Sequence, residues 1–429
     1  MIALRGDLLD FTATPLWGST AEQGVRWRPD HWLMIDDAGR ISGATTEEPG
    51  PQWQRIDHRG KLVMPGFIDT HVHCPQLEVI ASWGTGLLDW LETYTFPAER
   101  CYADAAVAEA GAAQFLDALL AHGTTSAVVF PTVHKVSADR LFAAAQKRGM
   151  RLITGKVLMD VNAPDDLRDD VQGAERDCRE LIQQWHGTGR LAYAATVRFA
   201  ATSSREQLAM AGRLCREFAG TFMQTHVAEN RDEVRWVAEL FPEARSYLDI
   251  YHRHGLLHER AVLAHGIWLD AQDRALLRDT GAQIAHSPSS NLFLGSGLFD
   301  WQAAHECGHK VSVASEVGGG TSLSMQRTLA DAYKVQALRG TKLSAFTGLH
   351  AATLGAAQGL GLQAEIGHLG AGALADITVW DWAVGPVAGC RDAVSSSLHS
   401  RLFAWMMLGD ERNLVQTFVA GTSRYQRRP

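Results

Sequence analysis

Cysteine is scarce in this 429-residue chain: six residues, scattered, with no CxxC pair. That excludes a disulfide frame and a cysteine-built structural zinc site, and leaves buried or incidental thiols of a reducing compartment. Long apolar runs are also missing. No stretch approaches the roughly 20 apolar residues that a membrane span needs. The first residues, "MIALRGDLLDF", are broken by Arg5, Asp7 and Asp10 and lack the apolar centre of a signal peptide. Positive charge is not in excess: the formal net charge is −8, and no basic run exceeds the final "RYQRRP". Nucleic-acid and membrane surfaces, which usually require a basic patch, are therefore not expected. Low-complexity segments and short repeats are absent as well. The expected setting is the cytoplasm.

What is present is ordinary globular composition, 46% apolar and 21% charged, in a chain too long for one small domain. Eight apolar β-type runs alternate with amphipathic helical stretches: "KLVMPGFID", "TTSAVVF", "RLITGKVL", "LAYAATVRF", "TFMQTHV", "AVLAHGI", "AQIAHS" and "KVSVASE". Continuous apolar runs suit strands buried on both faces. The alternation predicts an α/β fold, a (β/α)8 TIM-like barrel over residues 65–368. The ends differ. "WLMIDDAGRISGAT" reads as a hairpin, and "EIGHLGAGALADITVWDW" as short strands with Gly turns. Residues 1–64 and 369–429 are expected to form a small β-sandwich domain together.

Barrel chemistry sits at the C-terminal ends of the strands. The first run ends in His71-Val72-His73, and period two puts both imidazoles on one face. The fifth ends at His226, the sixth at His265 and the eighth at Glu316. Four histidines and a carboxylate at four strand ends can converge, and neutral imidazole with carboxylate suits Zn²⁺. A lone histidine at a strand end is more often a core residue; His286 is either that or a pocket residue. "HECGH" at 305–309 matches the HExxH protease helix, but Gly308 and the strand that follows break the helix this motif needs. His305 and His309 are read as surface or packing residues.

On these residues the chain resembles the amidohydrolase superfamily, most of all its guanine-deaminating members. The segments that carry the likeness are "PGFIDTHVHCPQ" (65–76), "LLDWLETYTFPAER" (87–100), "TVRFAATSS" (196–204), "QTHVAENRDEV" (224–234), "LAHG" (263–266), "HSPSSNLFLGSGLFD" (286–300), "EVGGGTSLSM" (316–325) and "GALADITVWD" (372–381). They cover nearly the whole chain in the family's order. The resemblance implies a cytoplasmic hydrolase that converts guanine to xanthine and ammonia with one zinc per chain. It implies His71, His73, His226 and Glu316 as metal ligands, and Glu229, His265 and Glu316 as the acid–base groups. Gln76, Arg198, Phe199, His226 and Glu229 would hold the purine. Trp83, Leu88 and Trp90 are candidates for shaping the pocket.

Two places depart from the family pattern. Ala314-Ser315-Glu316 stands where Gly-Thr-Asp is usual, and Val197 and Ala201 stand where proline is usual. A deaminase of another amino-heterocycle (a pterin, an oxidised purine or a triazine) is the alternative, and a metal-binding barrel impaired by Glu316 is a second. A two-metal hydrolase carrying a modified lysine is disfavoured, because Lys156 sits inside its strand. A homodimer is the expected assembly.

Overall fold

The computed structural model describes every residue except Thr85 and Pro429. The chain divides into two compact units. One comprises Met1–Asp69, Asp117–Ser126 and Ser324–Pro429; the other comprises Thr70–Leu116 and Ala127–Leu323.

The first unit carries a sheet made by both chain ends. Strands β1 to β4 are Ile2–Phe11, Val25–Ile35, Ile41–Thr45 and Gln54–Pro65. The expected hairpin joins β2 to β3 through Asp36–Arg40, with the Gly39 amide donating to the Asp36 carbonyl at 3.0 Å. Gly39 has φ +72°, and a Cβ there would lie 2.1 Å from the Ala420 carbonyl oxygen, so this turn requires glycine.

Nine strands follow in the barrel: β5 (Phe67–His73), β6 (Thr124–Phe130), β7 (Arg151–Thr154), β8 (Val157–Leu158), β9 (Leu191–Val197), β10 (Phe222–Val227), β11 (Ala261–His265), β12 (Gln283–His286) and β13 (Lys310–Val313). Their path is β13-β12-β11-β10-β9-β7-β6-β5, with β8 also on β9. β7 and β8 are the two halves of one interrupted run, so eight positions are filled. Every residue of β5, β6 and β9 is buried, as in strands covered on both faces. The ends of the path meet where the Thr70 and Ser312 hydroxyls pair at 2.9 Å, the Glu316 amide donates to the His71 carbonyl, and the His73 amide donates to that of Val317.

β14 to β16 (Ile377–Trp380, Leu414–Val419, Thr422–Gln426) return to the terminal sheet. The sandwich expected of the termini takes the form of one seven-stranded sheet, β16-β15-β14-β4-β1-β2-β3. Leu4, Leu8, Leu33, Val63, Ile377, Val379 and Phe418 share one core there. Residues 324–368, placed with the barrel on sequence grounds, belong to the unit of this sheet.

Candidate active site

At the C-terminal end of the barrel, three imidazoles face one another. The Nε2 atoms of His71 and His73 are 3.3 Å apart, and His226 Nε2 lies 3.2 Å from each. Four ligands about 2.0–2.1 Å from a tetrahedral zinc stand roughly 3.3 Å from one another. The three observed edges match that figure. Phe130, the last residue of β6, backs the cluster with ring centroids 4.8–5.0 Å from all three imidazoles. His226 donates from Nδ1 to the Arg198 carbonyl at 2.7 Å, which leaves Nε2 as a bare donor atom.

The Glu316 carboxylate faces the same cluster. Its Oε1 is 3.6 Å from His71 Nε2 and 3.9 Å from His226 Nε2, and its buried Oε2 has no hydrogen-bond partner among the described residues. The sequence reading put Glu316 on the last residue of a strand. In fact β13 ends three residues earlier, and Glu316 turns into the left-handed region with φ 49°. The glycines behind it are needed for close approach: a Cβ on Gly320 would fall 1.7 Å from the Ser315 carbonyl oxygen, and one on Gly318 2.7 Å from that of Gln76. His265 ends β11, also with positive φ (69°). Its Nδ1 donates to Asn291 Oδ1 at 2.7 Å, and its Nε2 lies 3.0 Å from Glu316 Oε1 and 3.4 Å from Glu229 Oε2. The ligand atoms of His71, His226, His265 and Glu316 all lie within 4.8 Å of one another.

Gln76, Arg198, Phe199 and Glu229 line the adjoining cavity together with His73, His226 and Glu316. Leu87, Trp90, Leu91 and Leu294 add apolar wall. Trp83 and Leu88 are exposed and do not line it. Val197 and Ala201, in place of proline, leave Arg198 and Phe199 on the lining.

The pattern of the Amidohydrolase family matches residues 62–424. The chain belongs to the amidohydrolase family. It is 43% identical over 430 aligned residues to guanine deaminase of Escherichia coli, covering 99% of this chain and 98% of that protein. The solved E. coli guanine deaminase superposes with a TM-score of 0.96 at 42% identity, covering both chains completely. Guanine deaminase from C. acetobutylicum, solved with guanine in its active site, gives 0.89 at 25% identity over 99% of this chain and all of that one.

In this amidohydrolase the two site carboxylates are driven apart. Burial pushes Glu229 up to about 7, against the pull of His265 and of the Ser296 hydroxyl, which donates to its Oε1 at 2.7 Å. Burial also opposes charge on Glu316, but His265 and His71 prevail and hold it well below the usual carboxylate range. Such divergence gives the two carboxyls different resting states at neutral pH, Glu229 able to carry a proton and Glu316 ionised and free to accept one. Burial lowers His71, His73 and His226, keeping the imidazoles neutral as ligands must be. Burial acts against charge on His265 too, yet Glu229 and Glu316 lift it to about 10.

Several working residues escaped the sequence reading. Glu233 accepts from the amides of Glu229 and Asn230 at 3.0 Å each and from the Tyr247 hydroxyl, so it pins the backbone beneath Glu229. Its signal was a capping box begun by Asn230. Asn291, Ser296 and Glu99 lie inside segments that carried the family likeness, but only the folded chain shows their partners.

The decoys resolve as follows. The helix Trp301–Glu306 stops before Cys307, and His309 Nε2 donates to the Arg274 carbonyl at 2.8 Å, so HECGH forms no metal helix. His286 is a core residue against Phe299 and Trp301 and is held down to about 3 by burial. Lys156 is buried against Asp169, at 2.5 and 2.6 Å from its two oxygens. It is thus an ion-pair partner, outside the histidine cluster.

Proposed function

We propose that this amidohydrolase converts guanine and water to xanthine and ammonia, using one zinc ion per chain held by His71, His73, His226 and Glu316. The observation that carries the reading is one cavity combining a buried guanidinium and amide (Arg198, Gln76), apolar walls, and a carboxyl poised near neutrality beside the imidazole cluster. The full-length likeness to guanine deaminase supports it.

Bound zinc would lower the pKa of water toward neutrality and so make hydroxide available at the site. The protein's own groups do the rest. Arg198 donates to the purine carbonyl, Gln76 pairs with the ring edge, and Phe199 packs against the ring. An amino group in place of that carbonyl would set donor against donor, which is how the pocket rejects adenine. Glu229 gives a proton to the ring nitrogen beside the carbon under attack. His265, fixed by Asn291, holds the attacking oxygen in line and takes part of its developing charge. Glu316 takes the proton lost by water and passes it to the departing amine, which leaves as ammonia while the added hydroxyl returns its proton to Glu229 and becomes the second ring carbonyl.

A homodimer in the cytoplasm completes the proposal. Leu338, Val387 and Val394 are the most exposed aliphatic side chains of the first unit and are available to such an assembly. No described helix is long and apolar enough to cross a membrane.

The test is ammonia release from guanine by the zinc-loaded protein, with Glu316→Asp assayed beside it. Turnover by the native chain is expected. Activity in the Asp variant alone would mean that Glu316 disables the site. Inactivity of both on guanine, with release from a pterin, an oxidised purine or a triazine, would transfer the function to that substrate.

A further inference from the structure

Glu99 lies on the short helix Phe96–Cys101 and is fully buried. It does not line the cavity. Both of its oxygens accept from Arg198 Nη1, at 2.8 and 2.7 Å, and Oε1 also accepts from Gln76 Nε2 at 3.2 Å. One carboxylate thus grips both polar groups that face the ring. The other end of the Gln76 amide is fixed too, since its Oε1 accepts from the Gly318 amide at 3.3 Å. Phe96, on the same helix, holds its ring 5.4 Å from the Arg198 guanidinium carbon.

We propose that Glu99 is a positioning residue that sets the donor–acceptor pattern read by the pocket. It engages Arg198 through Nη1 alone and so leaves Nη2 and Nε to meet a ring carbonyl. Together with His73 Nδ1, 3.1 Å from the same Gln76 nitrogen, it fixes the orientation in which the Gln76 amide meets the ring edge. An amide side chain has two orientations of nearly equal shape, and only its partners choose between them. A guanidinium that is 2% exposed also needs a counter-charge to stay in place. An ion pair serving the fold alone has no reason to join two cavity-lining residues from separate strand ends. The inference rests on the purine reading above.

The test uses the full zinc-loaded chain and its Glu99→Gln variant. Three quantities are measured: guanine turnover, and calorimetric binding of hypoxanthine and of purine. Hypoxanthine keeps the ring carbonyl and adjacent N–H; purine lacks both. Glu99→Gln should lower kcat/KM for guanine and affinity for hypoxanthine at least tenfold, and purine affinity less than threefold. Equal losses for the two ligands, or a guanine kcat/KM within threefold of native, overturn the proposal. If Glu99→Gln does not fold, Glu99→Asp decides. It keeps the charge but withdraws it by one carbon, and it should weaken hypoxanthine at least threefold with purine unchanged; native behaviour overturns the proposal. A native chain that neither turns over guanine nor binds hypoxanthine removes the purine reading, and this inference with it.

Discussion

Replacing Glu229 by glutamine probes the proton chemistry with little change of shape. Glutamine keeps an oxygen to accept from the Ser296 hydroxyl, now at 2.7 Å, and keeps the volume of a side chain that is 2% exposed. Glu233 still pins the backbone amide at 3.0 Å. What disappears is a group held near 7 that can give and retake a proton at neutral pH. General acid–base catalysis is worth roughly 10²–10⁴ in rate. At about 1.4 kcal/mol per decade, the barrier should rise by roughly 3–5 kcal/mol. Ammonia release under saturating guanine should therefore fall at least a hundredfold, while zinc content stays that of the native protein. A kcat within tenfold of native, in protein verified to hold its metal, would show that the proton comes from elsewhere.

Three further outcomes are expected. Lys156→Met strands the largely buried Asp169 carboxylate and should cost about 3 kcal/mol of stability in urea unfolding, with zinc stoichiometry still one; loss of metal would instead revive a lysine-bridged centre. Removing metal with dipicolinate should abolish turnover and lower the thermal midpoint, and one equivalent of zinc should restore both; a metal-free sample at full activity would end the zinc assignment. His350, held down to about 4 by burial, stays neutral in the fold while the unfolded chain takes up a proton near 6.5, so stability falls as pH drops below that value. Between pH 7 and 5 this group should contribute roughly 2 kcal/mol of that loss, and a His350→Leu variant with the same acid slope as native in urea titrations would contradict it.

The sequence exposed the barrel because its strands are buried on both faces and end in residues that apolar packing does not explain. His71, His73, His226 and His265 were each legible as imidazoles closing a β run. Glu316 was legible as a carboxylate, but not its setting: periodicity ends at Val313, and the turn that aims the side chain has no repeating pattern. Glu99 was hidden for another reason. It meets Arg198 across 99 positions of chain, and no local spacing marks such a pair. The segment 324–368 escaped similarly, since a helix's apolar face reveals that it packs but not onto what.

The terminal sheet has a consequence for synthesis. Leu4, Leu33 and Val63 belong to a core completed by Ile377, Val379 and Phe418, and β14 pairs with the last residues of β4. At roughly 5–20 residues per second, the ribosome needs about 15–65 s to travel from β4 to β14. Through that interval Leu62, Val63 and Met64 present an unpaired apolar strand edge on the nascent chain. The first strands to emerge are thus among the last to be sealed, and the protein's yield in the cell should depend on what shields that edge in the meantime.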